Sequence, residues 1–525
     1  MPTPAIKVLA LASNVRRRCY RITCYSSRGI TNNVANEEVI SKPLQSARPF
    51  KEIPGPTSFP LIGTLLNYLP VLGKYDFDRL HRNGMLKLQE FGPLVREEIV
   101  PGTNIVWVFT PQDIETVFRC EGRYPFRRSH LAVDKYRKDR PDLYNSGGLL
   151  PTNGDKWYEL RSTFQKALSR PQNIRLYVQG SDHILQQFMD VIKSRGNLST
   201  EDFVPYLSHV FLELVGLVAF DAELEGLTEA GLQPDSLASQ LIDAAETANG
   251  CIVALDNSLQ LWRWIETPLY KKLKRSHEIM ERVAVTLVNR KKSLIESQRL
   301  TENKQPSLLE IYLSDPKISV KDIVGMAVDM ILAGMDTTSF SSSFALYHLA
   351  TNPNCQKALQ QECRELLPTR ESPVTLEVLD KAQYTRAVIK ESLRLNPVSV
   401  GVGRILPEDV ILSGYHVPKG TNIVTQNQVA CRLSEHFPNP NSFIPERWIK
   451  SSSLFQKPHP FLLLPFGHGP RSCIARRLAE QNMHMLFLKI FRNYDVKWCG
   501  GTLDCRSLPN KPDQPLLLSF KSVDY

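Results

Sequence analysis

The segment Pro465-Phe466-Gly467-His468-Gly469-Pro470-Arg471-Ser472-Cys473-Ile474-Ala475 concentrates chemical capacity in eleven residues. It lies between an irregular stretch and an expected helix beginning at about Ile474. A cysteine at a helix start sits in the positive end of the helix dipole, which favours the thiolate. Gly467 and Gly469 permit unusual dihedrals and a close approach of the backbone to a flat ligand. Arg471 can pair with a carboxylate of that same ligand. A lone cysteine on a glycine loop is usually a buried, inert thiol, so the reading needs support from elsewhere in the chain.

Three other segments have the spacing for it. Glu391 and Arg394, in Lys390-Glu391-Ser392-Leu393-Arg394, are i and i+3 and share a helix face. Trp157 and Arg161 are i and i+4 on another helix. Ala333-Gly334-Met335-Asp336-Thr337-Thr338 falls inside an expected helix over 320–351, which would run ~48 Å. A glycine and two threonines in mid-helix cost ~1 kcal/mol or more, and that cost points to function. Small residues leave room for a planar cofactor, and a threonine hydroxyl can bond the carbonyl four residues back and open the helix to water.

The cysteine loop resembles the heme-binding fingerprint of the cytochrome P-450 family, F-G-x-G-x-R-x-C-x-G/A, with Phe466, Gly467, Gly469, Arg471, Cys473 and Ala475 filling it. Ala475 stands where glycine is commoner. The resemblance implies that Cys473 is the axial thiolate of heme b (iron protoporphyrin IX). Glu391 and Arg394 match the family's E-x-x-R, and Arg447, in Pro445-Glu446-Arg447-Trp448, would complete a buried Glu-Arg-Arg triad that fixes the cysteine loop. Asp336 and Thr337 match the family's oxygen-activation motif and would relay protons to dioxygen. Trp157 with Arg161, and Arg404 in Val402-Gly403-Arg404, would contact the heme propionates. The implied activity is that of a monooxygenase. A lyase or isomerase of the same fold, and a non-catalytic heme or sterol binder, are rival readings that the intact Asp336-Thr337 pair disfavours.

The resemblance extends to the mitochondrial branch of the family, whose members take electrons from an acidic 2Fe–2S ferredoxin and its reductase. Arg386 and Lys390 precede E-x-x-R, and Arg476 and Arg477 follow Cys473, at positions where that branch places basic docking residues. Likeness to insect ecdysteroid hydroxylases of this branch runs through Arg127-Arg128-Ser129-His130, Leu149-Leu150-Pro151-Thr152-Asn153-Gly154 and Leu259-Gln260-Leu261-Trp262-Arg263. It implies side-chain hydroxylation of an ecdysone precursor at carbon 22, with another sterol or lipid as the alternative substrate.

Composition agrees with a globular enzyme. The chain has 525 residues, 42% hydrophobic and 22% charged. Its formal charge is +10, of which Lys7, Arg16, Arg17, Arg18, Arg21 and Arg28 supply six before the first acidic residue, Glu37. The remainder is nearly balanced, which argues against nucleic-acid binding. An acid-free, arginine-bearing opening has the composition of a mitochondrial presequence, expected over 1–36. A polar linker over 37–52 and a P-450 domain over 53–525 follow, with a peripheral place on the matrix side of the inner mitochondrial membrane. Ten scattered cysteines, with no CxxC pair, read as reduced thiols.

The elements that must position these residues read as mainly α with small β-sheets, an α+β architecture in one large helical domain, with the heme between the long central helix and the cysteine loop. Helices are expected over about 74–91, 155–169, 175–194, 205–220, 237–249, 268–298, 320–351, 354–367, 383–395 and 474–493. A hairpin is expected over 94–110, turning at Pro101-Gly102, and strand-like pieces over 399–426.

Overall fold

Apolar residues at helical spacing, punctuated by proline and glycine, set the order of elements in the structure, a computed structural model. It describes residues 46–523 apart from 70, 72, 101, 197, 259, 298–304, 507 and 508. The expected presequence, the first part of the linker, and Pro101 lie outside the described residues. The expected linker ends early: Phe50–Glu52 form a 3-10 turn, and Arg48 bridges to Tyr415 with its guanidinium 3.7 Å from the ring centre.

The first elements are α1 (Leu80–Phe91), β1 (Leu94–Val100), β2 (Thr103–Val108), α2 (Pro111–Cys120), α3 (Leu131–Lys138) and α4 (Gly154–Leu168). Next come α5 (Pro171–Arg175), α6 (Val178–Arg195), α7 (Val204–Ala219), α8 (Leu237–Asp256), α9 (Pro268–Glu296) and α10 (Leu308–Ser314). The long α11 (Val320–Thr351) leads to α12 (Pro353–Leu366), α13 (Leu376–Lys381) and α14 (Gln383–Leu395). Then follow β3 (Gly403–Ile405), β4 (Val410–Leu412), β5 (Tyr415–Val417), β6 (Asn422–Thr425), α15 (Asn427–Ala430) and α16 (Arg476–Asn493). The chain closes with β7 (Tyr494–Trp498), β8 (Cys505–Arg506), β9 (Lys511–Pro512) and β10 (Leu518–Ser522).

The expected helices over 320–351 and 383–395 appear with those bounds. Ser319 caps α11 by accepting from the Lys321 N–H, and Pro353, which disfavours helix in the residue before it, explains the stop at Thr351. Other expectations shift. The helix expected from 74 begins at Leu80, because Asn83 and Asp76 exchange backbone–side-chain bonds that make a turn there. The helix expected over 175–194 breaks between Arg175 and Val178, and the one expected to end at 249 runs through Gly250 to Asp256. α10, held by a Ser307/Glu310 capping box, was too short to be legible in periodicity.

One four-stranded sheet has the order β1-β2-β6-β3. β2 pairs parallel with β6, Ile105 opposite Asn422, and β3 pairs antiparallel with β6, Arg404 opposite Ile423. The hairpin and the later strand-like pieces therefore form one sheet, joined across some 300 residues of helix. A small core of Ile53, Leu94, Val106, Val108, Phe118, Leu406 and Phe461 underlies it, and Phe461 carries this packing to the cysteine loop. The main core gathers α3 to α16 around α11. α11 is long and apolar enough to span a membrane by composition alone, yet most of it is buried between α7, α8 and α9, so it is a core helix.

Candidate heme-thiolate active site

Cys473 lies in the loop before α16, whose N-cap is Ala475; the helix starts at Arg476, slightly later than expected. The loop is tied by the Cys473 N–H donating to the Phe466 carbonyl at 2.8 Å, and by Gly467 and Ser472 N–H bonds to Leu464 and Gly469 carbonyls. Gly467 and Gly469 have φ of +71° and +72°. A Cβ on Gly469 would also stand 1.8 Å from Glu121 Oε1, so glycine is required there twice over. The Cys473 side chain is accessible although protein surrounds it densely, which makes it the floor of a concavity. Burial pushes its thiol up; the Ala475 N–H, Arg161 and Arg476 oppose that shift.

Around this floor stand Arg127, Arg161, Arg404 and Arg471. Arg471 donates to the Thr152 carbonyl and to Asn153 Oδ1, and its guanidinium lies 4.3 Å from the Trp157 ring centre. Its Nε and Nη1 are buried with no hydrogen-bond partner among the described residues. Arg161 Nη2 donates to the Ser472 carbonyl at 2.7 Å, and its Nε to Gln165. Arg404 Nε binds Glu121 Oε2 at 2.5 Å and Nη2 reaches the His468 carbonyl. Arg127 donates to the Leu150 carbonyl at 2.7 Å. Burial, then Arg127, Arg404 and Arg161, pull Arg471 down to about 8, with Glu121 opposing. Burial brings Arg127 and Arg161 down to about 10, and Arg404 and Arg161 add to the effect on Arg127.

Of these four guanidiniums only Arg404 is ion-paired among the described residues, with Glu121, whose carboxyl is pushed up by burial and whose Oε1 has no hydrogen-bond partner there. Such a buried excess of positive charge is costly unless paired. It fits a planar ligand carrying two carboxylates beside an accessible sulfur, which is heme. Trp157, Arg161, Arg404 and Arg471 are brought together here. Glu121 and Arg127 are members that motif reading missed. The Arg127-Arg128-Ser129-His130 run was the only trace of Arg127, and nothing in spacing marked Glu121.

Glu391, Arg394 and Arg447 meet in full burial. Arg394 makes a two-pronged pair with Glu391 at 2.8 and 2.9 Å, and Arg447 Nε is 3.2 Å from Glu391 Oε1. The Trp448 indole and the Ile444 N–H fill the remaining acceptor positions of Glu391. Arg394 also donates to the carbonyls of Cys431, Pro440 and Ser442. The hydrogen bonds of this triad run to 431–448 and do not reach the cysteine loop directly. The link onward runs through α15, whose Asn427 donates to the Phe461 and Leu462 carbonyls.

On α11 the side chains of Ala333 and Thr337 are half-buried in a helix otherwise largely enclosed. Thr337 Oγ1 donates to the Ala333 carbonyl at 2.7 Å, and the hydroxyls of Thr338, Ser339, Ser341 and Ser343 repeat the pattern while the helix continues unbroken. Gly334 does not open space for a cofactor: a Cβ there would meet Val215 of α7 at 2.9 Å, so this glycine serves helix packing. Asp336 is 2% exposed and accepts from Asn249 Nδ2 at 2.8 Å. Burial raises its carboxyl to about 7, against the Asn249 bond, with Glu246 raising and Lys511 lowering it. No hydrogen bond joins Asp336 to Thr337 among the described residues.

Arg386, Lys390, Arg476 and Arg477 are all exposed. Lys390 Nζ lies 4.2 Å from the Trp448 ring centre, and burial and Arg476 lower its pKa, so α14 and the start of α16 share one basic face. Arg476 pairs with Glu480 at 3.0 Å and lies over Phe466, next to the loop. Apart from this site, His81, Asp504 and Cys505 offer ligand atoms within 4.8 Å of one another. Arg79 and Arg82 already neutralise Asp504, and burial notwithstanding, bonds to Asp504 and Cys505 hold His81 up at about 9.

An accessible thiol in a glycine loop, buried guanidiniums beside it, and an acid and a hydroxyl side by side on the long α11 are the features of the heme-thiolate class. The Cytochrome P450 family profile matches residues 53–520. The chain is 46% identical over 479 residues to Cytochrome P450 302a1, mitochondrial, of Drosophila melanogaster, covering 90% of this chain and 96% of that protein. It is 32% identical to Probable cytochrome P450 301a1, mitochondrial, of the same fly, covering 95% and 93%. With Probable cytochrome P450 12a5, mitochondrial, also of that fly, identity is 33% over 94% of each chain. The protein belongs to the cytochrome P-450 family of heme-dependent monooxygenases.

Proposed function

We propose that this chain is a mitochondrial steroid hydroxylase acting at carbon 22 of an ecdysone precursor. The substrate rests on the resemblance to insect ecdysteroid hydroxylases, supported by the 46% identity with Cytochrome P450 302a1, mitochondrial. The observation that carries the chemistry is the accessible Cys473 thiol beside buried guanidiniums that outnumber their carboxylates. Heme b, when bound, supplies reductive activation of dioxygen and insertion of one oxygen atom into a C–H bond, with two electrons and two protons consumed and water released.

The chain's own residues do the rest. Cys473 would supply the sulfur that holds the heme iron. Arg161 with Trp157, Arg404 and Arg471 would hold the two carboxylates, and Phe466, whose carbonyl ties down Cys473, would help hold the cofactor. Glu391, Arg394 and Arg447 keep the loop's support in place. Asp336 takes up and releases a proton near neutrality, and Thr337, when its hydroxyl leaves the Ala333 carbonyl, passes it toward the reacting side. Arg386, Lys390, Arg476 and Arg477 attract an acidic 2Fe–2S ferredoxin, reduced by its reductase. The opening over 1–36 directs the protein to the mitochondrion and 37–52 leads into the catalytic domain, 53–525. Peripheral attachment to the matrix side of the inner membrane is supported by exposed Leu61, Trp264 and Ile265.

The test reconstitutes purified protein with a mitochondrial ferredoxin, its reductase and a panel of ecdysteroid precursors lacking the 22-hydroxyl. One product, hydroxylated at carbon 22 and dependent on ferredoxin, is expected. Turnover of another sterol or lipid alone would overturn the substrate; rearrangement of a peroxide without electron supply would overturn the reaction. Cys473→Ala should abolish the ferrous–carbon monoxide absorbance characteristic of thiolate ligation.

A further inference from the structure

Asp336 is buried on α11, and its carboxylate has one hydrogen-bond partner among the described residues, the side-chain amide of Asn249 on α8. The same amide nitrogen donates to the Leu332 carbonyl at 2.9 Å, one turn earlier on α11. Two bonds from one group fix the amide and with it the rotamer of the acid. Glu246, one turn before Asn249, pairs at 2.6 Å with Lys511 of β9, a half-exposed pair beside this acid. β9 and α8 both pack on α11. Thr337 is on the adjacent position of α11, turned to a different side, and bonds its own helix instead.

We propose that Asn249 is a positioning residue for Asp336: it latches the carboxyl to α8 and away from Thr337, and with Glu246 and Lys511 sets the pH range over which the acid carries its proton. This rests on the reading of Asp336 as proton relay. An amide does not relay a proton itself, so the relay runs only when the Asp336 carboxyl turns away from Asn249. The three neighbours act with different signs. The amide bond and the Lys511 charge favour the carboxylate, whereas the Glu246 charge opposes it.

The experiment reads Asp336 directly in the heme-loaded protein, by infrared spectroscopy with carbon-13 aspartate. The protonated carboxyl band is assigned by its loss in Asp336→Asn, and its titration midpoint is expected at about 7. Asn249→Leu should raise the midpoint by ~0.5–1 pH unit, the worth of one net hydrogen bond. Glu246→Gln should lower it and Lys511→Gln should raise it. An unchanged midpoint in Asn249→Leu, or all three variants moving alike, would overturn the latch. In parallel, peroxide released per NADPH is followed against pH with ferredoxin and reductase. If Asp336→Asn leaves that profile unchanged, the relay reading falls while the midpoints still decide the role of Asn249.

Discussion

Gly469 shows how narrowly one residue can be constrained: its φ of +72° excludes most side chains, and Glu121 occupies the space a Cβ would need. Gly469→Ala should therefore lose heme content and thermal stability together, measured by pyridine hemochrome and by melting. Arg394→Ala leaves Glu391, in full burial, with Arg447 at 3.2 Å as its one remaining ion-pair partner among the described residues and removes its two-pronged one, and breaking such a buried pair costs about 3–5 kcal/mol. Denaturant unfolding of the variant should show a loss of that order, with Arg394→Lys recovering only part because lysine lacks the fork that grips both carboxylate oxygens. Residues inside local motifs were legible: Cys473, Glu391, Arg394, Trp157 and Arg161 could be picked out because helix and loop spacing carries their geometry. Glu121 was not, since what makes it functional is Arg404 and Gly469, brought from some 300 residues away. Gly334 was misread for the same reason. Its meaning lies in Val215 on another helix.

Elements were legible where length gave the periodicity time to show. α11 and α14 emerged with their bounds, while α10 and the strands β7 to β10 did not, because two to seven residues hold no reliable period. The β7–β10 pairing, Tyr494 with Ser522, depends on a chain reversal that neither strand announces. At this scale α11 makes its own prediction. Thr337→Ala removes a hydroxyl already parked on the Ala333 carbonyl, so the helix should keep its stability while peroxide released per NADPH rises several-fold. Intact coupling would remove Thr337 from the proton route. The segment between α8 and α9 makes another: Trp264 is 78% exposed beside Ile265 at 61%. Its fluorescence should shift to the blue with vesicles of anionic phospholipid, and Trp264→Ser should weaken their binding.

For the molecule as a whole, charge decides behaviour with solvent and partners. Ferredoxin-driven reduction should slow steeply between low and ~0.15 M salt, where the Debye length is ~8 Å. Charge reversal at Arg386 or Arg477 should flatten that dependence if their face receives the carrier; stopped-flow reduction measures both. Stability should also answer to pH through His81. Its pKa is raised in the fold, so its contribution is fully present below its unfolded value near ~6.5 and is lost as pH rises through about 9. Melting temperature should fall over that window, and His81→Gln should flatten the fall.

The crowd of guanidiniums around Cys473 has a consequence for how the enzyme comes into being. Like charges held together at reduced solvation push the surrounding segments apart until a dianion arrives, so capture of the porphyrin and the last stage of chain consolidation should become a single event. Stripping the pigment should leave a looser body that protease cuts first between α2 and α4, and polyvalent anions added in its place should partly restore the protection.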